Sequence, residues 1–205
     1  MKDGKVEPCI ELDDWDVFVV EHKKYKNATL ATLHPQLEQA KFAYESLIKT
    51  KDYRGVRVHG SVGLGKTQFL FAVIRDLLKN HNMKREHFEY VSEEELFLKI
   101  KGSFGYADTS QMLEKLMRRL REVNILFYDD LGSATKTVGG DWGKQVLMEI
   151  FNPRYKDEKT TFLTSNLSLE ELNDLIGGRV ADRLQDMHSI FINGKSLRSE
   201  WKNQT

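Results

Sequence analysis

The chain has 205 residues, enough for one well-buried domain with little left for a second. Hydrophobic residues make up 40% and charged ones 30%, ordinary for a soluble globular protein, and a formal net charge of zero excludes a global basic field for nucleic acid. One cysteine, Cys9, excludes an internal disulfide and a multi-cysteine zinc module, while the lack of any bilayer-length apolar run or signal-peptide segment points to a cytoplasmic protein without a membrane partner.

Charge is uneven along the chain. Residues 1–21 carry seven acids against Lys2 and Lys5, so 1–24 read as a short acidic extension and 25–205 as the folded domain. A helical pattern, Pro35–Ile48, comes first, with apolar Leu37, Ala40, Tyr44 and Leu47. The β-branched run Gly55–His59 then leads into "HGSVGLGKT", His59–Thr67, which fits the phosphate-loop spacing G-x-x-x-x-G-K-[ST]. In that loop the backbone of Gly60, Ser61, Val62, Gly63, Leu64 and Gly65 can turn its N–H groups onto phosphate oxygens, with Gln68 in the helix that follows. Lys66 is placed for the β- and γ-phosphates of a nucleotide and Thr67 for Mg²⁺. The helix itself spans Lys66–Lys79, its apolar residues close to a 3.6-residue period.

Further strands are expected at Phe88–Val91, Asn124–Tyr128, Thr161–Thr164 and Ser189–Ile192, near-continuous apolar runs that suit a sheet covered on both faces. Between them lie helical patterns at Glu93–Ile100, Ser110–Leu120, Gly143–Phe151 and Leu169–Ile176, with Ser92 and Ser168 opening capping-box sequences. This alternation predicts a single α/β domain, a five-stranded parallel sheet between layers of helices.

Three of these segments carry chemistry. "NILFYDDLG" ends a buried strand in two carboxylates, which are costly there unless they meet a cation or a polar site. Asp129 is placed for a Mg²⁺ shell and Asp130 as a base that polarises water; two aspartates at a solvated turn are the plainer alternative. "FLTSN" ends in Asn166 at what becomes the carboxyl edge of the sheet, where it can meet a γ-phosphate or lytic water, or simply start a turn. "GGRVADRLQD" puts Arg179 and Arg183 four residues apart, on one face if helical: a solvated face, or an arginine that reaches a neighbouring subunit's phosphate.

Taken in order, "YKNATL" (Tyr25–Leu30), the phosphate loop, "ILFYDDLG", "DWGKQVLMEIFNPRY", "TTFLTSN", "GGRVADRL" and "GKSLR" resemble the DnaC/DnaI/IstB group of AAA+ ATPases, bacterial and phage helicase loaders and transposition helpers. The resemblance runs from about Tyr25 to Arg198. It implies an AAA+ core without a C-terminal helical lid, ATP and Mg²⁺ as ligands, and Asn166 as sensor 1. It also implies Arg183 as the finger acting on a neighbour's ATP, Arg179 as the reserve, and Arg198 as a nucleotide contact. Its implied partners are a replicative helicase or a transposase, single-stranded DNA, and further copies of the chain in an ATP-dependent oligomer. Family loaders carry an N-terminal helicase-binding domain, zinc-containing in some. Here either "ELDDWDVFVVEH" (Glu11–His22) takes that role or the partner differs.

The same resemblance makes "EKLMRRLREV" (Glu114–Val123) a helix facing DNA, with Lys115, Arg118, Arg119 and Arg121 tracking phosphates and Phe104 or Tyr106 stacking on a base. An amphipathic helix with Leu113, Leu116, Met117 and Leu120 inward explains the pattern as well. A helicase loader is thus the leading reading and an IstB-like helper its near rival. From other classes, a monomeric small-molecule kinase should carry cis arginines on a lid, which the sequence lacks, and a nucleotide-binding interaction protein would hydrolyse ATP poorly.

Overall fold

In the computed structural model, which describes residues 13–103, 107–135 and 140–198, five strands form one fully parallel sheet in the order β2-β3-β4-β1-β5. The strands are β1 Val56–His59, β2 Phe88–Ser92, β3 Ile125–Leu131, β4 Thr160–Ser165 and β5 His188–Phe191. All five expected strands are present within one to three residues. The helices are α1 Asp14–Val19, α2 Glu38–Thr50, α3 Lys66–Asn80, α4 Glu93–Gly102, α5 Ala107–Glu122, α6 Gly140–Lys156, α7 Leu169–Ile176 and α8 Gly178–Gln185. Phe104 and Tyr106, named above as stacking candidates, lie outside the described residues. No helix among the described residues is long and apolar enough to cross a membrane.

The pleat divides the core into two faces. Val56, Val58, Phe127 and Phe162 pack with Leu37, Tyr44, Phe69 and Ile74 of α2, α3 and the turn before α2. Leu126, Tyr128 and Leu163 point the other way, into Leu96, Leu120, Leu147, Ile150 and Val180 from α4, α5, α6 and α8. Burial on both faces explains why the three inner strands, β1, β3 and β4, read as unbroken apolar runs rather than alternating ones. The edge strand β5 departs from that expectation: none of its residues is buried, and Phe191 points into solvent because, among the described residues, no further strand or helix covers it there.

Three boundaries moved for physical reasons. The sixth helix continues through Pro153 to Lys156 although proline removes a helical hydrogen bond. The next residue anchors that turn: buried Arg154 donates to the carbonyls of Leu120, Val123, Asn124 and Thr160 and to the Thr161 hydroxyl. β3 runs past both aspartates to Leu131 across a register shift between Tyr128 and Leu131. At the N-terminus, α1 and the 3-10 turn Val20–Tyr25 pack onto α3, and Trp15 and Phe18 are buried in the first core face. The spacing of Trp15, Phe18, His22 and Tyr25 is helical, the signal that identifies this packing stripe amid the acidic residues.

Candidate nucleotide site

β1 lies between β4 and β5, while the chain leaving it crosses to the far edge at β2, so a crevice opens at the carboxyl end of β1. The phosphate loop fills that position. Backbone rather than side chains shapes it. Gly60 has φ 144°, and a Cβ there would stand 2.2 Å from the Ile192 carbonyl oxygen; Gly63 has φ 85°, and a Cβ would meet Ser196 Oγ at 2.2 Å. The loop is therefore clasped from outside by the segment after β5, where the Leu197 N–H donates to the Gly63 carbonyl at 2.8 Å. On the other side Gln36 donates to the Leu64 carbonyl at 2.9 Å. The "GKSLR" stretch thus backs the loop, and Arg198, exposed, reaches the same cavity.

That cavity has a volume of about 430 Å³ and is lined by Lys24, Tyr25, Val62, Gly63, Leu64, Gly65, Lys66, Thr67, Gln68, Asp130, Thr164, Asn166, Leu197 and Arg198. The 15-residue α3 opens at Lys66, so its N-terminal N–H groups and partial positive charge face the cavity. Lys66 is buried and donates to the carbonyls of Gly60 and Ser61, each at 2.7 Å, and to Asn166 Oδ1 at 2.8 Å. Burial lowers its pKa, against the pull of Asp130 and Asp129. Ser61 and Val62 are exposed at the loop's tip.

Asp129 is buried beneath the cavity and accepts three hydroxyls. Thr67 donates to Oδ2 at 2.9 Å, Tyr90 to the same oxygen at 3.1 Å, and Thr164 to Oδ1. Burial raises its pKa, and the three hydroxyls and Lys66 oppose the rise. A threonine hydroxyl against a carboxylate is a hard-oxygen pair, the donor chemistry that suits Mg²⁺. Asp130 sits on the bulge of β3 with φ 59°, a left-handed conformation unusual for a non-glycine residue and concentrated at functional sites. Its N–H donates to Thr164 Oγ1 at 2.8 Å, and Asn166 Nδ2 donates to its carboxylate at 2.6 Å. Burial raises its pKa, and the neighbouring Asp129 charge adds to that.

Asn166 therefore links Lys66 to Asp130, and Thr164 links Asp130 to Asp129. Sequence reasoning missed Thr164, which reads as one more polar residue at a strand end, and it missed the pocket-lining Lys24, Tyr25 and Leu197. It also placed Glu93 only as part of a cap. Ser92 does accept the Glu95 N–H, and Ser168 and Glu171 form the reciprocal box. Glu93, however, is fully buried and accepts the N–H groups of Gly132, Ala134 and Thr135 and the Thr135 hydroxyl, clamping the turn that follows the aspartates.

Other expected residues lie elsewhere. Arg179 and Arg183 are on α8 and do not line the cavity. Arg179 is exposed, while Arg183 donates to Asn152 and its guanidinium carbon stands 5.4 Å from the Tyr155 ring centre. On α5, Lys115 and Arg118 are exposed. Arg119 turns onto β2, donating to Glu89 at 3.2 Å and to the carbonyls of Glu86 and Phe88, and Arg121 lies 4.0 Å from Glu149.

Residues 36–190 match the family described as the bacterial DnaA ATPase domain. The replicative helicase loader DnaC of Escherichia coli (strain K12) is 26% identical over 142 residues, covering 68% of this chain and 54% of DnaC. This chain spans about half the length of the curated relatives it matches. Among solved structures, the DnaC helicase loader superposes with a TM-score of 0.68 at 22% identity, over 83% of this chain and 99% of that one. A replication initiator DnaA bound to AMPPCP and single-stranded DNA gives 0.66 at 19% identity, over 86% and 55%. Both structures share the α/β fold described above.

Proposed function

This chain belongs to the family of the bacterial DnaA ATPase domain, and from that membership we propose that it binds ATP with Mg²⁺, hydrolyses it, and acts in DNA replication as a helicase loader on single-stranded DNA. One observation carries the reading: Lys66, Asn166, Asp130, Thr164, Asp129 and Thr67 form a continuous hydrogen-bonded set at the carboxyl edge of the sheet, under a loop closed by glycines.

The geometry supports the following roles. Lys66 exchanges the carbonyls of Gly60 and Ser61 for phosphate oxygens, a charge-assisted gain for a buried ammonium. Thr67 and Asp129 hold Mg²⁺, which when bound offsets the negative charge on the phosphates. Asp130 takes the proton of an attacking water, and its raised pKa brings it nearer the working range of a base. Asn166 holds the Asp130 carboxylate in orientation and senses the γ-phosphate through the contact it now makes with Lys66. Arg183, remote from its own cavity, serves the next copy's site, with Arg179 as the alternative, and Arg198 contacts the nucleotide at the rim.

The loader role is supported by the likeness to DnaC, and DNA binding by the likeness to a DnaA whose structure holds single-stranded DNA. Lys115 and Arg118, exposed on α5, are the proposed phosphate contacts. The exposed Val17 and Val20, flanked by Asp14 and Glu21, are the proposed helicase contact. ATP hydrolysis measured against protein concentration, with and without single-stranded DNA, tests the whole reading. Specific activity that rises with concentration and responds to DNA is expected; a flat, DNA-indifferent rate overturns it and favours a self-contained site.

A further inference from the structure

Two of the three hydroxyls on Asp129 come from the motif segments, Thr67 and Thr164. The third, Tyr90, comes from β2, which carries none of those motifs. Its ring is wedged among others: Phe71 at 4.9 Å, His22 at 5.0 Å with planes at 72°, and Phe18 at 6.3 Å with planes at 75°. Two of those three rings belong to residues 13–25, upstream of the segment the family matches. Tyrosine has only two side-chain torsions to fix, and packing on this scale fixes both, so the hydroxyl is delivered to one point on the Asp129 carboxylate.

We propose that Tyr90 is a positioning residue for Asp129, and that the N-terminal segment holds Tyr90 in place through Phe18 and His22. The inference rests on the reading that Thr67 and Asp129 hold Mg²⁺. Mg²⁺ demands near-octahedral oxygen geometry, so a carboxylate free to rotate binds it less well than one held by outer donors. Tyr90 keeps Asp129 in one orientation. A segment beyond the matched domain thereby reaches the metal pair, and whatever engages residues 13–25 tunes the site's demand for Mg²⁺.

The test is equilibrium binding of a fluorescent ATP analogue to the full chain, titrated with Mg²⁺, for the wild type, Tyr90→Phe, His22→Ala and Asp129→Asn. Tyr90→Phe keeps the ring and loses only the hydroxyl. It is expected to leave Mg²⁺-free affinity unchanged and to raise the Mg²⁺ needed for half-maximal enhancement about ten-fold. His22→Ala should shift the same midpoint in the same direction by a smaller factor. A wild-type midpoint in Tyr90→Phe, or an equal loss with and without Mg²⁺, overturns the positioning role, and a wild-type midpoint in His22→Ala overturns the part given to the N-terminal segment. If Asp129→Asn keeps the full Mg²⁺ response, the metal reading falls as well; a response lost there but intact in Tyr90→Phe overturns this inference alone.

Discussion

The Thr164 hydroxyl donates to Asp129 and accepts the backbone N–H of Asp130 at 2.8 Å, so one buried side chain of β4 fixes both aspartates of β3. Valine has similar volume and neither capacity. Thr164→Val should leave the Asp130 N–H without its partner, in a residue already held at φ 59°, and cost about 1–3 kcal/mol of stability. Single-turnover hydrolysis should fall at least roughly ten-fold while nucleotide affinity without Mg²⁺ is kept. An unchanged single-turnover rate would mean that β3 holds the pair unaided.

Lys66 bonds two loop carbonyls and Asn166, a set that only a flexible, charged, three-donor side chain can exchange for phosphate oxygens. Lys66→Ala should abolish ATP binding, measured by calorimetry, and leave the fold intact, because the carbonyls it releases face the cavity. Residual micromolar binding would show that the α3 N-terminus suffices.

Arg183 sits on Asn152 and against the Tyr155 ring, away from its own cavity. Arg183→Ala should bind ATP normally and lose cooperative hydrolysis. Mixing it with Lys66→Ala should restore phosphate release, since a mixed interface pairs an intact loop with an intact arginine. Normal turnover by Arg183→Ala alone sinks the finger role and moves attention to Arg179.

The sheet and the phosphate loop were legible because their signals are local. Glycine spacing, a lysine–threonine pair and unbroken apolar runs need no knowledge of the rest of the chain. The supporting set was not. Thr164 gains its hold on Asp130 because a bulge brings the Asp130 N–H to it, and a bulge leaves no composition signal. Glu93 reads as a helix start until its carboxylate is seen to take the turn after β3. Arg154 keeps a proline-containing helix running through carbonyls some thirty residues away in sequence, Leu120 and Val123 among them. Residues 13–25 were read by their charge, and charge masked the helical spacing of Trp15, Phe18 and His22, which buries the first two and lays His22 against Phe71.

His59 precedes the loop on β1, and burial, with the charges of Arg57 and Lys66, pushes its pKa down to about 4 from 6.5. A lowered value means the unfolded chain takes up a proton near pH 6.5 that the folded one refuses until about pH 4. Stability from this group is therefore fully present above pH 6.5 and is lost as pH falls through that window. Partial exposure screens the effect, so its direction is the prediction. Denaturant midpoints should drop less steeply on acidification for His59→Asn than for the wild type. Parallel slopes would remove His59 from the acid response.

The basic run on α5 divides by contact. Lys115 and Arg118 are exposed, whereas Arg119 bonds Glu89 and the carbonyls of Phe88 on β2 and Glu86 just before it. If α5 tracks a phosphate backbone, Lys115→Glu with Arg118→Glu should weaken single-strand binding and flatten its dependence on salt by roughly 0.7 in logarithmic slope per lost phosphate contact. Arg119→Glu should act differently, because it sets a carboxylate against Glu89 and strips donors from the Glu86 and Phe88 carbonyls. Its first effect is lower stability, read in the denaturant midpoint, with the salt slope of whatever binding remains unchanged. The same slope in the double variant as in the wild type would take DNA off this helix, leaving its basic face as a solvated surface over Leu116, Met117 and Leu120.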